Sequence, residues 1–209
     1  VGLLLKRKFK MAIFNPLLIS IIAVIAVLCL LHIDYDTYNQ SGQYISYLLT
    51  PATVCLAVPL YQQMELLKKN LKAVVIGIVS GVLASLVSVL ILAKLFRLSH
   101  EQYVTLLPKS ITTAIGMGVS EELGGIVTIT VAVIIITGVL GNMVAETVIK
   151  LAHIEEPIAK GLALGTSSHA IGTAKAMELG EIEGAMSSLA IAVAGLLTVV
   201  GASVFAQFM

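Results

Sequence analysis

Five stretches of this chain run without a single charged residue: 11–31, 44–64, 73–93, 126–145 and 184–209. Each reaches the roughly 20 residues that an α-helix needs to cross the hydrocarbon core of a bilayer. Polar positions do not recur at helical spacing inside them, as they would on the wetted face of a soluble amphipathic helix. With no water to satisfy the backbone, such runs are predicted to be transmembrane helices.

Two further stretches, 103–125 and 157–180, are apolar enough to enter a membrane but are interrupted by polar residues. The first contains Pro108, Lys109, Ser110, Thr112 and Thr113, then Gly116, Gly118 and Ser120-Glu121-Glu122 before Gly124-Gly125. The second contains Gly165-Thr166-Ser167-Ser168-His169, followed by Gly172 and Thr173. Proline removes a backbone donor, and each interior glycine costs a helix about 1 kcal/mol. Both segments are therefore predicted to be broken or re-entrant helices buried within protein; whether 103–125 crosses or turns back is left open. Leu48-Leu49-Thr50-Pro51-Ala52-Thr53 echoes Leu106-Leu107-Pro108, and paired interruptions of this kind fit an inverted-repeat, elevator-type carrier. The spacings Gly77-x-x-x-Gly81 and Gly161-x-x-x-Gly165 predict close helix crossings.

Composition agrees with lipid as solvent. Of 209 residues, 58% are hydrophobic and 12% charged, with a mean hydropathy of +1.01. The expectation is one all-α membrane domain, a multi-span helical bundle over 1–209. Residues Val1 to Leu5 ahead of Lys6-Arg7-Lys8 read as the tail of a further helix upstream. Basic clusters at Lys6 to Lys10 and Lys68 to Lys72 flank an acidic loop, 32–43, carrying Asp34 and Asp36. By the positive-inside rule the basic loops are cytoplasmic and the acidic loop external. A net charge of +1 gives no basic face for nucleic acid. Cys29 and Cys55 lie in apolar runs and are expected to be small buried hydrophobes.

Candidate chemistry concentrates in the interruptions. A helix broken at 165–173 would turn backbone N–H groups and a positive half-helix end toward the break, which favours a carboxylate. Thr166, Ser167, Ser168, Gly172 and Thr173 would then bind the anion, and His169 would add a hydrogen bond or carry a proton. The competing explanation is tight packing through small residues and hydroxyls. Thr50, Pro51 and Thr53 would supply a facing break, and Lys109, Ser110, Thr112 and Thr113 would line the route. Glu121 and Glu122 would either relay protons or cap a helix. Lys109 would either meet a substrate carboxylate or snorkel; Lys175 is expected to snorkel. Glu178, Glu181 and Glu183 are expected in a solvated loop or cap. No G-x-S-x-G elbow or phosphate loop occurs, and Val104 stands where a zinc-binding His would follow His100-Glu101. Neither an enzyme nor a cofactor is expected.

Three segments together resemble the LrgB/CidB family. They are the run from Gly165 to Gly180 with its continuation Glu183-Gly-Ala-Met-Ser-Ser-Leu-Ala, the pair Leu107-Pro-Lys-Ser-Ile-Thr-Thr-Ala-Ile and Val119-Ser-Glu-Glu-Leu-Gly-Gly, and Leu49-Thr-Pro-Ala-Thr-Val-Cys-Leu-Ala-Val-Pro-Leu-Tyr. The resemblance covers nearly the whole chain in order. It implies a multi-pass protein of the bacterial cytoplasmic membrane. Family descriptions diverge on activity. Bacterial members are described as holin-like or antiholin-like regulators of murein hydrolases and lysis, acting with a small LrgA/CidA-type membrane protein. A plant relative is a plastid glycolate/glycerate translocator, and bacterial members have been tied to pyruvate movement. The interrupted segments favour a proton-coupled carrier of small 2-hydroxy or 2-oxo monocarboxylates, with a homodimer as the expected assembly.

Overall fold

The computed structural model describes residues 16–48, 51, 54–55 and 57–209, and among these it is all helix and turn, without a strand. The chain divides into two compact units, 1–58 and 59–209.

In the first unit, α1 (Pro16–Leu30) is uniformly apolar, and Ile22, Ile25 and Leu30 are exposed. An apolar helix with bare side chains is what a lipid-facing segment looks like. α2 (Tyr35–Tyr47) occupies most of the stretch expected to be an acidic loop. The reason is local: Asp34 precedes the helix and its Oδ2 accepts from the Thr37 amide at 3.4 Å, a capping contact that starts the helix. α2 ends at Tyr47, so 44–64 is not one continuous span among the described residues. Cys29 and Cys55 are exposed, not buried, because protein does not cover these runs. Lys6 to Lys10, Thr50 and Thr53 lie outside the described residues.

The second unit opens with the short helices α3 (Ala57–Gln62), whose first residues belong to the first unit, and α4 (Met64–Lys69). Three long helices follow: α5 (Leu71–Phe96), α8 (Val127–Leu151) and α10 (Glu181–Phe205). All three are long and apolar enough to cross a membrane, and they match three of the expected spans. At 25 or 26 residues each extends about 38 Å, more than the roughly 30 Å of hydrocarbon. The core between them is apolar and finely graded in size, from Val74, Ile78 and Leu86 on α5 to Ala190, Ala194 and Ala202 on α10.

Between the long helices lie the two interrupted segments, and both turn back. α6 (His100–Leu106) starts on a complete capping box, with Ser99 Oγ accepting from the Gln102 amide and Gln102 Oε1 accepting from the Ser99 amide. It enters beside the C-terminal end of α10, where the Tyr103 hydroxyl donates to the Phe205 carbonyl at 2.9 Å. The chain breaks over 107–112 around buried Pro108, then restarts as α7 (Thr113–Glu122). Its tip reaches the middle of α5, where Ser110 Oγ lies 3.0 Å from Ser85 Oγ. α7 then returns along α8 to the end it came from: Gly116 lies against Ile134, and Thr130 Oγ1 is 2.7 Å from Ser120 Oγ. This is a re-entrant hairpin, which answers the question the sequence left open.

α9 (Pro157–Leu179) is the second hairpin, its reversal concentrated at His169, whose φ of 42° and ψ of −137° leave helical space. Proline at its start is preorganised for the first turn. Its first arm passes α10 at Gly161 and Gly165, packed on Glu183, Met186, Ser187 and Ala190. Its second arm returns past the same stretch, with Thr173 Oγ1 2.7 Å from Ser187 Oγ and Gly184 against Met177. The first hairpin thus enters from the end holding the C-termini of α5 and α10, and the second from the end holding their N-termini. Their tips approach the same middle depth.

Candidate functional site

The tips border one groove. A cavity of about 770 Å³ runs along α5 past Gly77, Gly81 and Ser85, with Lys109 and Ser110 from the first hairpin and Thr166 and Ser167 from the second. Small residues on α5 create the space. A β-carbon added at Gly81 would stand 2.6 Å from Thr166 Oγ1, so only glycine lets the second hairpin come this close.

Polar geometry at the first tip is well defined. Lys109 Nζ donates to Ser110 Oγ at 2.9 Å, and Ser110 Oγ pairs with Ser85 Oγ. Among the described residues Lys109 is in no ion pair. A cation held at the middle depth of three membrane helices without a carboxylate is costly. Its counter-charge can come from an anion entering the groove. The N-terminal end of α7 starts at the same tip, so a positive helix end closes the turn that carries the ammonium.

At the second tip the expected ligands separate into two groups. Thr166 and Ser167 line the groove, although Thr166 Oγ1 donates back to the Leu162 carbonyl at 2.8 Å and so offers only its acceptor side. Ser167 Oγ is 3.0 Å from Ser168 Oγ. The others face the packing instead. Ser168 sits against Gly141 of α8, and Gly172 against the Leu164 carbonyl across the hairpin. Thr173 Oγ1 donates to the His169 carbonyl at 3.1 Å and meets Ser187. His169 is buried, with Nε2 3.0 Å from the Ile134 carbonyl. A carbonyl can only accept, so Nε2 carries a proton and donates it. His169 therefore pins the reversal to α8, as does the Asn142 amide, whose Nδ2 donates to the Ile171 carbonyl at 3.0 Å.

Other residues depart from expectation. Lys175 does not snorkel: it is 6% exposed, and its Nζ lies 2.6 Å from Glu146 Oε1 and 3.0 Å from Glu178 Oε2. Two carboxylates within reach hold the ammonium inside instead of at the interface. Of the two alternatives for the acidic residues near Gly180, the helix start is the one seen: Glu178 and Glu181 are exposed, Glu181 and Glu183 stand in the first turn of α10, and Glu183 is buried with its carboxylate folded over Gly180. Glu121 and Glu122 are exposed at the far end of α7, about 12 Å along the helix from the tip. Thr112 and Thr113 cap and open α7 outside the groove lining. Lys109 and Ser110 share the groove with Thr166 and Ser167, while Thr50 and Thr53, expected with Pro51 to supply a facing break, lie outside the described residues. Sequence reasoning missed Ser85 and Glu156, both of which line the groove. Ser85 sits in an apolar span among other serines, and nothing in the spacing marks it out.

The LrgB-like family matches residues 1–208. The holin-like protein CidB of Staphylococcus epidermidis is 42% identical over 185 residues, covering 88% of this chain and 81% of the relative. CidB of Staphylococcus aureus is 40% identical over the same shares. The antiholin-like protein LrgB of Bacillus mycoides is 39% identical over 206 residues, covering 99% of this chain and 90% of that protein. No solved structure matches. The chain is a helical membrane protein and belongs to the LrgB-like family.

Proposed function

We propose that this protein is a carrier, not an enzyme, moving small 2-hydroxy or 2-oxo monocarboxylates of the glycolate, glycerate or pyruvate type, with protons moving in the same direction. The observation that carries this reading is Lys109: an ammonium without a carboxylate partner among the described residues, facing a groove between two opposed hairpin tips. An anion bound there would neutralise the charge, and hydroxyls on the groove wall, Ser85 and Ser167, would donate to its remaining oxygens. Opposed interrupted segments are also the arrangement that lets a central site be reached from either side in turn. Lys68, Lys69, Lys72, Lys150 and Lys160 gather at the mouth of the second hairpin, against Lys94 and Arg97 at the other end. This bias supports a cytoplasmic side for the second hairpin's mouth in the inner membrane of a bacterial cell. A homodimer is part of the proposal.

A second reading is better supported by the relatives' names, which describe holin-like and antiholin-like proteins. On that reading the chain has no substrate and regulates murein hydrolases and lysis with a small LrgA/CidA-type membrane protein. The two readings part on selectivity. Proteoliposomes holding only this protein would be offered labelled D-glycerate, glycolate and pyruvate, with and without an inward proton gradient. A trapped dye would report leakage. Saturable uptake, accelerated by the gradient and competed better by D- than by L-glycerate, is expected of the carrier. Dye release without stereoselectivity, or neither signal, would transfer the assignment to the lytic regulator.

A further inference from the structure

The hydroxyls around Lys109 differ in what they still have to offer. On α5, Ser80 Oγ donates to the Gly77 carbonyl at 2.9 Å and Ser88 Oγ to the Ser85 carbonyl at 2.8 Å, the usual return of a helical serine to its own turn. Ser85 instead reaches across to the first hairpin and pairs with Ser110 Oγ at 3.0 Å. Ser110 Oγ already accepts from Lys109 Nζ. Two hydroxyls bring two hydrogens, and one of them lies between the pair. The other is left to donate outside the trio. Ser110 is 5% exposed, whereas Ser85 is half-buried on the groove wall, so access favours Ser85 as the outward donor.

We infer that Ser85 is the specificity residue of the groove, donating to the oxygen on the carbon next to the substrate's carboxylate while Lys109 holds the carboxylate itself. This rests on the carrier reading above. An acid with a 2-hydroxy or 2-oxo group presents two acceptors side by side, and Lys109 with Ser85 presents two donors side by side across Ser110. An unsubstituted acid would occupy the Lys109 end and leave the Ser85 hydrogen unmet. Sites that hydrogen-bond a substrate oxygen discriminate strongly against analogues lacking it.

The test measures binding of glycolate and of acetate to the purified full chain in detergent, for wild type, Ser85→Ala and Ser85→Thr. Wild type is expected to prefer glycolate by about tenfold, a margin within reach of one hydrogen bond to a polar ligand. Ser85→Ala is expected to reduce that preference to about unity with acetate binding unchanged, and Ser85→Thr, which keeps the hydroxyl, to restore it. Equal weakening of both acids in Ser85→Ala would make Ser85 a prop for Lys109 and overturn the inference, as would an unchanged preference. A wild type that binds neither acid would remove the carrier reading as well, which separates that failure from the other two.

Discussion

The two hairpins reach the same depth by different means. The first is turned by proline, over six residues, and its base is tied by a hydroxyl network. Thr130 Oγ1 donates to the Thr105 carbonyl and meets Ser120 Oγ, while Thr105 Oγ1 accepts from the Ile126 amide at 2.8 Å. The second is turned at a single residue, His169, and glycines bring its arms onto α10: Gly161 and Gly165 on the first arm, and Gly184 of α10 against the second. Hydroxyls at its base therefore hold the first hairpin, whereas the second combines close backbone approach along its arms with side-chain bonds from His169 and Asn142 at its tip. The contrast explains why the second segment, so rich in hydroxyls, keeps few of them for the groove, while the tip of the first contributes Lys109 and Ser110 to its lining.

Substitutions can sharpen or break this contrast. The largest loss is expected from Gly165→Ala, because a β-carbon there would stand 2.5 Å from the Ser187 carbonyl oxygen, an atom that cannot rotate away. A destabilisation of about 3 kcal/mol is expected from such overpacking, read as a lowered unfolding midpoint in detergent. Retained stability would mean that the second arm does not need its close approach. Thr130→Val keeps the shape of a fully buried side chain but deletes the hydroxyl serving Thr105 and Ser120. About 2 kcal/mol should be lost, with faster amide exchange in α6 and α7 and unchanged exchange in α9. Equal loosening of both hairpins would contradict their separate anchoring.

At His169 the backbone and the side chain pull apart. The positive φ of 42° favours glycine, while the Nε2 contact to Ile134 favours histidine. His169→Ala should be less stable than His169→Gly by about 1 kcal/mol, because both lose the side-chain bond and only alanine resists the conformation. The reverse order would show that the turn is not strained. The smallest effect is expected from changing Glu121 and Glu122 together to Gln: both are exposed away from the groove, so glycolate binding should hold within about twofold, since exposed substitutions rarely move energies by more than about 0.5 kcal/mol. A large loss would return these carboxylates to the site.

Much of the fold was legible because lipid leaves few choices. Uncharged runs had to be helices, and α5, α8 and α10 follow the expected spans closely. Both interruptions were visible too, since Pro108 and the Gly165 to Thr173 run carry their own local penalties. What periodicity could not give was the direction of a hydroxyl. Thr166, Ser168 and Thr173 read alike in one dimension, yet Thr166 lines the groove with its hydroxyl returned to Leu162, while Ser168 packs on Gly141 and Thr173 meets Ser187. Those contacts depend on which arm of a hairpin meets which helix. Lys175 illustrates the same point: its partner Glu146 lies on another helix, so sequence alone suggested the interface. Ser85 was invisible for the converse reason, since only the fold brings the first hairpin tip beside it.

The central claim is that the groove is an anion site organised by Lys109. Isothermal titration of the purified protein with glycolate and pyruvate, comparing wild type with Lys109→Met, tests it most directly. Methionine is unbranched, only one atom shorter, and removes the charge, so folding should be unharmed while affinity for both acids falls at least about tenfold, the equivalent of one charge-assisted hydrogen bond. Equal affinity in the variant, with the fold intact, would contradict the account and leave the groove as a packing feature of a protein whose work lies elsewhere.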